Sequence, residues 1–405
     1  MTAKPRVSIV RCDASSDDDH VMDSVARSLD LLGDTMETFR GLKTIFVKTN
    51  IGLKEIKLHA GRQVALPDAC VLRAVVRALR QHSDAEILVG DTATEKGTTT
   101  EIYEVMGYPE ALAEFDVELI DTEDEPLVEA PVPGGGLMFD RYWISKRVAD
   151  ADAIVSVQKM KAHMAAGTTL TMKNLFGLTS LAKYGKPRRY LHAHVRLPHT
   201  IADMGLLFKP TLNVIDGLVA MNHKEWYGPA LKTDVIVAGD NTVATDAVGT
   251  HLMGFDPAGV HPEPPYVFDR NPLLLASDAG LGPIDLADIE LLGDELQKVG
   301  DFEVQANISP EDNAEVHRTL AEQVALYRGD QGNYVDQYEG QYIGLSGGDV
   351  MYQGTDLQNL KSRREIARES GKANQGLFLK YVEPEGVDPE HLGVYDSYGV
   401  GAVGG

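Results

Sequence analysis

Short apolar runs alternate along most of the chain with stretches whose apolar residues recur at helical spacing. The short runs predict buried strands at residues 7–10, 44–47, 86–89, 117–120, 153–157, 212–215 and 234–238. The amphipathic stretches between them predict helices, including one over 17–32 and one that begins after Pro67. Strands that alternate with helices indicate an α/β fold with a doubly wound, mostly parallel sheet.

The pattern changes in the last quarter of the chain. Ser309 and Pro310 favour a helix start, and the helix is predicted to end near Tyr327. Two short strands at 341–345 and 349–353 predict a β-hairpin, followed by a charged helix over 356–370 and a strand over 377–382. The predicted organisation is therefore an α/β domain over 1–300, a helical connection over 301–332, a small α+β unit over 333–390 and a Gly-rich tail over 391–405.

Composition narrows the classes of protein that this chain can represent. The 38 basic and 61 acidic residues give a net charge of −23, which argues against nucleic acid as a partner. No run of 18 apolar residues predicts a membrane span, and the first residues lack the apolar core of a signal peptide. We therefore expect a cytoplasmic protein. Cys12 and Cys70 alone cannot make a disulfide framework or a four-cysteine iron–sulfur site.

One stretch of the chain departs from this acidic character. Residues 153–202 contain no Asp or Glu, but they contain eight Lys or Arg residues and four His residues. A positive region within a negative protein concentrates anions. The stretch therefore predicts a site for a small anionic molecule, either a carboxylate or a phosphorylated compound.

The candidate catalytic residues lie inside this stretch. Lys161 and His163 are two residues apart and face the same side if the strand continues through them, which pairs a cation with a base near neutral pH. Lys173 can anchor an anion, or act as a nucleophile if it is desolvated. The expected substrate-binding residues are Lys48, Asn50, Asn174, Arg188 and Arg189, because amides and cationic side chains bind carboxylates and phosphates.

Polar residues that follow predicted strands suggest a metal site as well. Asn50, Asp91, His163, Lys173, Asp216 and Asp240 are expected at the carboxyl edge of the sheet, where open α/β sheets bind ligands. Clustered imidazoles suit a divalent transition metal. The candidate ligands are His192, His194, His199, Asp91, Asp216 and Asp240. The alternative interpretation of the histidines is an anion-binding loop without a metal.

Several ordered motifs resemble the DUF362 family over residues 1 to about 290. They are residues 7–12, 48–50, 89–91, 158–163, 172–177, 214–217, 238–240 with 244–248, and 252–257. The family is an uncharacterised group that is described in part as associated with iron–sulfur clusters. This chain lacks the ferredoxin-like cysteine clusters that many relatives carry, so the resemblance does not imply such a cluster here.

Two further resemblances concern smaller parts of the chain. Residues 335–383 are similar to the DUF5678 family through 338–343 and 350–354. His163 and Lys173 also resemble the nickel-pincer lactate racemases, in which a His is followed ten residues later by a Lys that holds the cofactor. That likeness implies a cofactor-holding role for Lys173.

The sequence supports two functional hypotheses. The first is an enzyme that acts on a small anionic substrate, with or without a metal, by acid/base chemistry of the isomerase or lyase type or by redox chemistry. The second is a non-catalytic binding or carrier protein for an anionic cofactor or ligand. No Gly-x-Gly-x-x-Gly follows a predicted strand and no Walker A motif occurs, so neither NAD nor ATP is predicted. The sequence is compatible with a homo-oligomer.

Overall fold

A nine-stranded sheet forms the centre of the protein. The computed structural model describes residues 3–95, 97–357, 376–384 and 386–398. The strands are β1 (Arg6–Arg11), β2 (Thr44–Lys48), β3 (Leu58–His59), β4 (Arg62–Gln63), β5 (Glu86–Asp91), β6 (Val117–Asp121), β7 (Leu127–Pro131), β8 (Arg141–Ser145), β9 (Ala153–His163), β10 (Gly167–Thr169), β11 (Leu212–Met221), β12 (Ala230–Gly239), β13 (Glu290–Gly293), β14 (Tyr342–Ser346), β15 (Asp349–Gly354) and β16 (Phe378–Tyr381). The strand order in the central sheet is β13-β1-β12-β11-β9-β2-β5-β6, and β10 pairs with β9.

Most pairs in this sheet are parallel, which confirms the predicted fold class. β13 pairs with β1, and β11, β9, β2, β5 and β6 pair in succession, all in parallel register. β12 is the exception because it runs antiparallel to both β1 and β11. Its carboxyl end therefore lies at the opposite edge of the sheet from the carboxyl ends of its neighbours.

Helices cover both faces of the sheet. They are α1 (Asp18–Asp30), α2 (Ala69–His82), α3 (Thr99–Val105), α4 (Tyr108–Leu112), α5 (Lys146–Ala149), α6 (Thr171–Leu175), α7 (Leu181–Tyr184), α8 (Arg196–Phe208), α9 (Thr242–Leu252), α10 (Pro272–Asp278), α11 (Pro310–Gly329) and α12 (Gln331–Tyr338). Side chains alternate along β2, so that Ile45 and Val47 join the cluster under α1 and α2 while Phe46 faces α6 and α8. Among the described residues, no helix has both the length and the apolar character needed to cross a membrane.

The C-terminal segment contributes a three-stranded antiparallel sheet in the order β15-β14-β16. The predicted hairpin is present as β14 and β15. This sheet and α11 share one buried apolar cluster with α8, which Ile201, Tyr327 and Ile343 illustrate. Residues 358–370 of the predicted charged helix and 399–405 of the predicted tail lie outside the described residues, and Leu392–Tyr398 form a 3₁₀ helix.

β9 is longer than the sequence predicts, and this length positions the site. The strand runs through His163, and its last residues pair with β10 rather than with the parallel strand β2. Lys159, Lys161 and His163 alternate along it, so all three side chains leave the strand on one side. The opposite side carries Met160 and Ala162 into a buried apolar cluster.

Candidate functional site

A cavity of about 360 Å³ opens at the carboxyl edge of the parallel strands. The ends of β5 and β9, the strand β10, the helix α6 and the loops at 50–53, 92–94, 187–192 and 225–226 surround it. Its polar lining consists of Asn50, Asp91, Thr92, Thr94, Lys161, His163, Thr169, Lys173, Asn174, Arg188, His192 and Glu225, with Phe176 and Trp226 as aromatic walls. The cavity therefore brings together the three predicted catalytic residues and three of the five predicted substrate-binding residues.

Positive charge prevails in this cavity. Lys161, Lys173 and Arg188 line it, and the carboxylates among its lining residues are Asp91 and Glu225. Asp91 is already engaged, because its Oδ1 lies 2.8 Å from the ammonium of Lys48 just beneath the wall. A ligand in the cavity thus meets two lysines, one arginine and the carboxylate of Glu225, which is not paired with a buried lysine.

Lys161 is held at the wall by three contacts. Its Nζ donates hydrogen bonds to Asn50 Oδ1 and to the carbonyl of Ala65, both at 2.9 Å, and lies 4.1 Å from the centre of the Trp226 ring. Burial lowers the pKa of Lys161 to about 7, although Glu225 acts in the opposite direction. The side chain is thus fixed in place and close to changing its charge at neutral pH.

Lys173 lacks such anchors. Its Nζ lies 4.2 Å from the centre of the Phe176 ring. Within the described ranges, no hydrogen-bond acceptor or carboxylate pairs with this amine. Burial lowers the pKa of Lys173 to about 7, and Arg188 and Lys48 contribute to the shift.

His163 uses one ring nitrogen for structure. Its Nδ1 accepts hydrogen bonds from the backbone N–H groups of Ala165 at 3.0 Å and Ala166 at 3.1 Å. The neutral ring must therefore carry its proton on Nε2. Burial lowers the pKa of His163 to about 4, and Glu225, whose carboxylate is 3.7 Å from Nδ1, only partly offsets this. His163 therefore offers an N–H donor rather than a base.

His192 has the opposite arrangement. Its Nδ1 lies 2.7 Å from the carbonyl oxygen of Pro187, which can only accept, so the neutral ring carries its proton on Nδ1. Its Nε2 then keeps a lone pair. The ring packs edge-on against Phe176 with centroids 4.5 Å apart. Burial and the nearby charge of Lys173 hold the pKa of His192 well below its ordinary value. Of the two imidazoles, His192 is thus the one whose Nε2 lone pair can accept a proton, and its lowered pKa makes it a weaker base than an ordinary histidine.

A buried polar layer supports the cavity from below. Lys48 Nζ donates to Asn174 Oδ1 at 3.0 Å, and Asn174 Nδ2 donates to the Lys48 carbonyl and to Ser156 Oγ. Burial lowers the pKa of Lys48 to about 8, against the opposing effect of Asp91. Lys48 therefore positions Asn174 and Asp91 and does not itself line the cavity.

Gly177 allows this layer to pack closely. A β-carbon there would lie 3.1 Å from both Asp91 Oδ1 and Lys48 Nζ. We expect Gly177→Ala to lower the free energy of unfolding by about 1–3 kcal/mol, because the buried pair must shift. Urea unfolding measures the loss. The matched control is Gly329→Ala at the end of α11, where a β-carbon meets nothing within 4 Å. Equal effects of the two changes would contradict the expectation.

The two neighbouring arginines have different surroundings. Arg188 has a positive φ of 66°. Its Nε donates to the Thr179 carbonyl at 2.6 Å, its Nη2 donates to the Gly177 carbonyl, and Nη1 has no partner among the described residues. A side chain held in this way keeps donors for a ligand. Arg189 is half-buried and lies outside the cavity lining.

The six predicted metal ligands do not come together, which corrects the sequence-based expectation. His194 stacks on Phe268 and bonds to Asn313, and His199 bonds to the carbonyl of Val195, the residue just before α8. Asp216 pairs with Lys159 at 2.7 Å. Asp240 follows the antiparallel β12 and binds Arg6 at the other edge of the sheet. Only His192 and Asp91 line the cavity, and the described part of the chain contains no group of three or more His, Cys, Asp or Glu side chains placed to hold a metal.

Comparisons with known proteins place the chain in a family. Residues 45–251 match the model of DUF362, a domain of unknown function. A thylakoid-associated protein of Synechocystis sp. is 25% identical in an alignment of 206 residues. The alignment covers 47% of this chain and 60% of that protein, so the chain spans less than two thirds of its relative. The lactate racemase apoprotein of Thermoanaerobacterium thermosaccharolyticum aligns with a TM-score of 0.39 and 14% identity over 62% of this chain and 57% of that one. Because the family model covers just over half of its residues, the chain belongs to the DUF362 family.

Proposed function

We propose that this protein is an enzyme that binds a small carboxylate or phosphorylated anion in the cavity and moves a proton on it. One observation carries the proposal. A single cavity holds two imidazoles fixed in opposite tautomers, His163 with a proton on Nε2 and His192 with a lone pair on Nε2. A donor and an acceptor fixed in the same cavity are what proton transfer to and from a substrate requires.

The charge and size of the cavity support an anionic substrate. Lys161 and Arg188 provide fixed N–H donors, and Arg188 can bind a carboxylate through two parallel hydrogen bonds. The volume of about 360 Å³ lies near the lower end of the range of ligand cavities, which is about 300–1,000 Å³. This range favours a small organic acid or a small phosphorylated compound over a nucleotide.

The chemistry follows from the roles of the two rings. His192 Nε2 removes a proton from a carbon next to the carboxylate or carbonyl of the substrate. The Nε2–H of His163 donates to the oxygen on which negative charge develops, as preorganised donors do in other enzymes. Return of the proton to the same or another carbon would make the reaction an isomerisation, and loss of a leaving group would make it a lyase reaction.

Solvent exchange tests the proposal. We would incubate the protein in D₂O with a panel of 2-hydroxy, 2-oxo and 2-amino carboxylates and small sugar phosphates, and follow deuterium incorporation by NMR. We expect exchange on at least one compound and a loss of about 10²–10⁴-fold in His192→Gln, because a general base contributes that much. The matched variant His192→Phe removes the same lone pair and keeps an aromatic ring against Phe176.

The control variant is Lys183→Met, which changes an exposed lysine outside the cavity lining and should leave exchange unchanged. Binding of panel compounds without any exchange would contradict the enzyme proposal and favour a carrier of small anions. If no compound of the panel binds, the proposal of an anion site is wrong.

A further inference from the structure

Lys173 is fixed at its backbone from both sides. The carboxylate of Asp246 on α9 accepts from the backbone N–H groups of Thr171 and Met172, both at 2.8 Å, and so holds the first residues of α6. The next residue, Asn174, is tied to Lys48 and Ser156. The helix therefore presents the Lys173 side chain to the cavity from a rigid support.

The terminal amine of Lys173 differs from the other buried lysines of this region. Lys48 pairs with Asp91 at 2.8 Å, Lys159 pairs with Asp216 at 2.7 Å, and Lys161 bonds to Asn50 at 2.9 Å. Lys173 Nζ has an aromatic face beside it and, among the described residues, no acceptor for its protons. A lysine that is desolvated and close to other cations readily loses its proton and becomes a nucleophile.

The surroundings of Lys173 supply what an amine needs to attack a carbonyl group. His192 packs against the same Phe176 ring and keeps a lone pair on Nε2 that can take a proton from the attacking nitrogen. The Nε2–H of His163 can donate to the carbonyl oxygen. Arg188 and Lys161 remain to bind a carboxylate attached to that carbonyl. The pKa of Lys173, which burial lowers to about 7, is consistent with this role.

We propose that Lys173 forms an imine with the carbonyl carbon of a 2-oxo carboxylate bound in the cavity. The inference rests on the proposed anion site and names its substrate class. The lone pair of Nζ attacks the carbonyl carbon and breaks its π bond, and the oxygen receives a proton relayed from nitrogen by His192. Uptake of one proton from solvent then expels that oxygen as water and leaves a protonated imine. The cationic imine draws electrons from the neighbouring carbon, so the proton that His192 removes becomes more acidic.

Reductive trapping of the full chain tests this inference. We would incubate the protein with pyruvate and sodium cyanoborohydride, and locate the reduced adduct by intact mass and peptide mapping. We expect one adduct per chain, on Lys173, and a trapping rate that falls at least tenfold from pH 7 to pH 5.5 as the amine becomes protonated. Acetone lacks the carboxylate and should give at least tenfold slower trapping.

Two variants test whether Lys173 reacts as a nucleophile or only provides a positive charge. Lys173→Arg keeps the cation but cannot form an imine, so it should lose the adduct and still bind oxalate within about tenfold of the parent protein. Lys183→Met removes a lysine that also lies over an aromatic ring, 4.1 Å from Trp143, but is exposed on the surface. It should be trapped like the parent protein.

The outcomes distinguish the imine from the proposed function. Oxalate binding without any adduct, or adducts spread over several lysines, would overturn the imine while leaving the anion site in place. If the protein binds neither oxalate nor pyruvate, the imine is wrong, and the proposed function is wrong as well only if no other compound of the panel binds.

Discussion

Glu390→Gln is expected to lower the free energy of unfolding by about 3–5 kcal/mol. The Glu390 carboxylate accepts a hydrogen bond from Arg196 Nε at 2.7 Å and lies 2.6 Å from Arg196 Nη2 and 3.1 Å from Lys380 Nζ, and the side chains of all three residues are at most 1% exposed. The glutamine has the same size but no charge. It would leave the Arg196 guanidinium buried without a counter-ion, and removing one member of a buried pair is costly for that reason.

Acid pH provides a second measurement of the same interaction. Burial alone would raise the pKa of Glu390, but Arg196 and Lys380 outweigh it, and the net shift is downward. A carboxylate with a depressed pKa stabilises the folded protein above its unfolded pKa and loses this contribution as the pH falls through the folded value. The difference in stability between the parent protein and Glu390→Gln should therefore be full at neutral pH and shrink in strong acid.

Urea unfolding of matched variants measures the effect. The control is Glu315→Gln, which removes a carboxylate from a pair with Arg318 that is about 40% exposed on the surface of α11. That change should cost less than about 1 kcal/mol, because exposed pairs contribute little. A cost of Glu390→Gln as small as that of the control would show that the buried pair contributes little to stability.

Anion affinity should fall steeply above neutral pH. Burial lowers the pKa values of Lys161 and Lys173 to about 7, so both side chains lose their charge between pH 7 and 9. Each lysine that must be protonated for binding reduces affinity by up to about tenfold per pH unit above its pKa, and two such lysines by up to about a hundredfold. Unperturbed lysines, with pKa values near 10.4, would give no change in this range.

Calorimetric titration with oxalate tests this expectation, since both oxalate carboxylates stay ionised over the range. The ionic strength must be held constant because salt screens the interaction. Lys173→Met should roughly halve the slope of log affinity against pH, because only Lys161 then titrates. A flat affinity between pH 6 and 9 would mean that the bound anion does not depend on these two amines.

The hydrophobic pattern predicted most strands and helices, and it predicted some of the residues that line the cavity. Buried strands and amphipathic helices follow directly from apolar periodicity, and the ends of parallel strands meet at one edge, which brought Asp91 and His163 into one cavity. The direction of β12 could not be read from its sequence, because a run of buried apolar residues looks the same in parallel and antiparallel pairing. Asp240 therefore lies at the opposite edge from the predicted one.

The absence of acidic residues between 153 and 202 predicted only part of the cavity lining. Five of the eight basic residues in this stretch lie outside the cavity lining, and two of these five pair with carboxylates from elsewhere in the chain: Lys159 with Asp216, and Arg196 with Glu390. Glu225 and Trp226 were not predicted as site residues. They follow the long strand β11 in a loop, and no local pattern indicates that this loop returns to the end of β9.

Arg196 and Glu390 are 194 residues apart in the chain, which sets an order of events during synthesis. At about 5–20 residues per second, a ribosome needs roughly 10–40 s to make the carboxylate after it has made the arginine. Throughout that interval α8 cannot reach its final environment, because its first residue has no counter-ion to bury with it. The packing of α8 at this face of the sheet is therefore completed only after residue 390 has been made, and until then the nascent protein exposes an apolar surface that chaperones would be expected to bind.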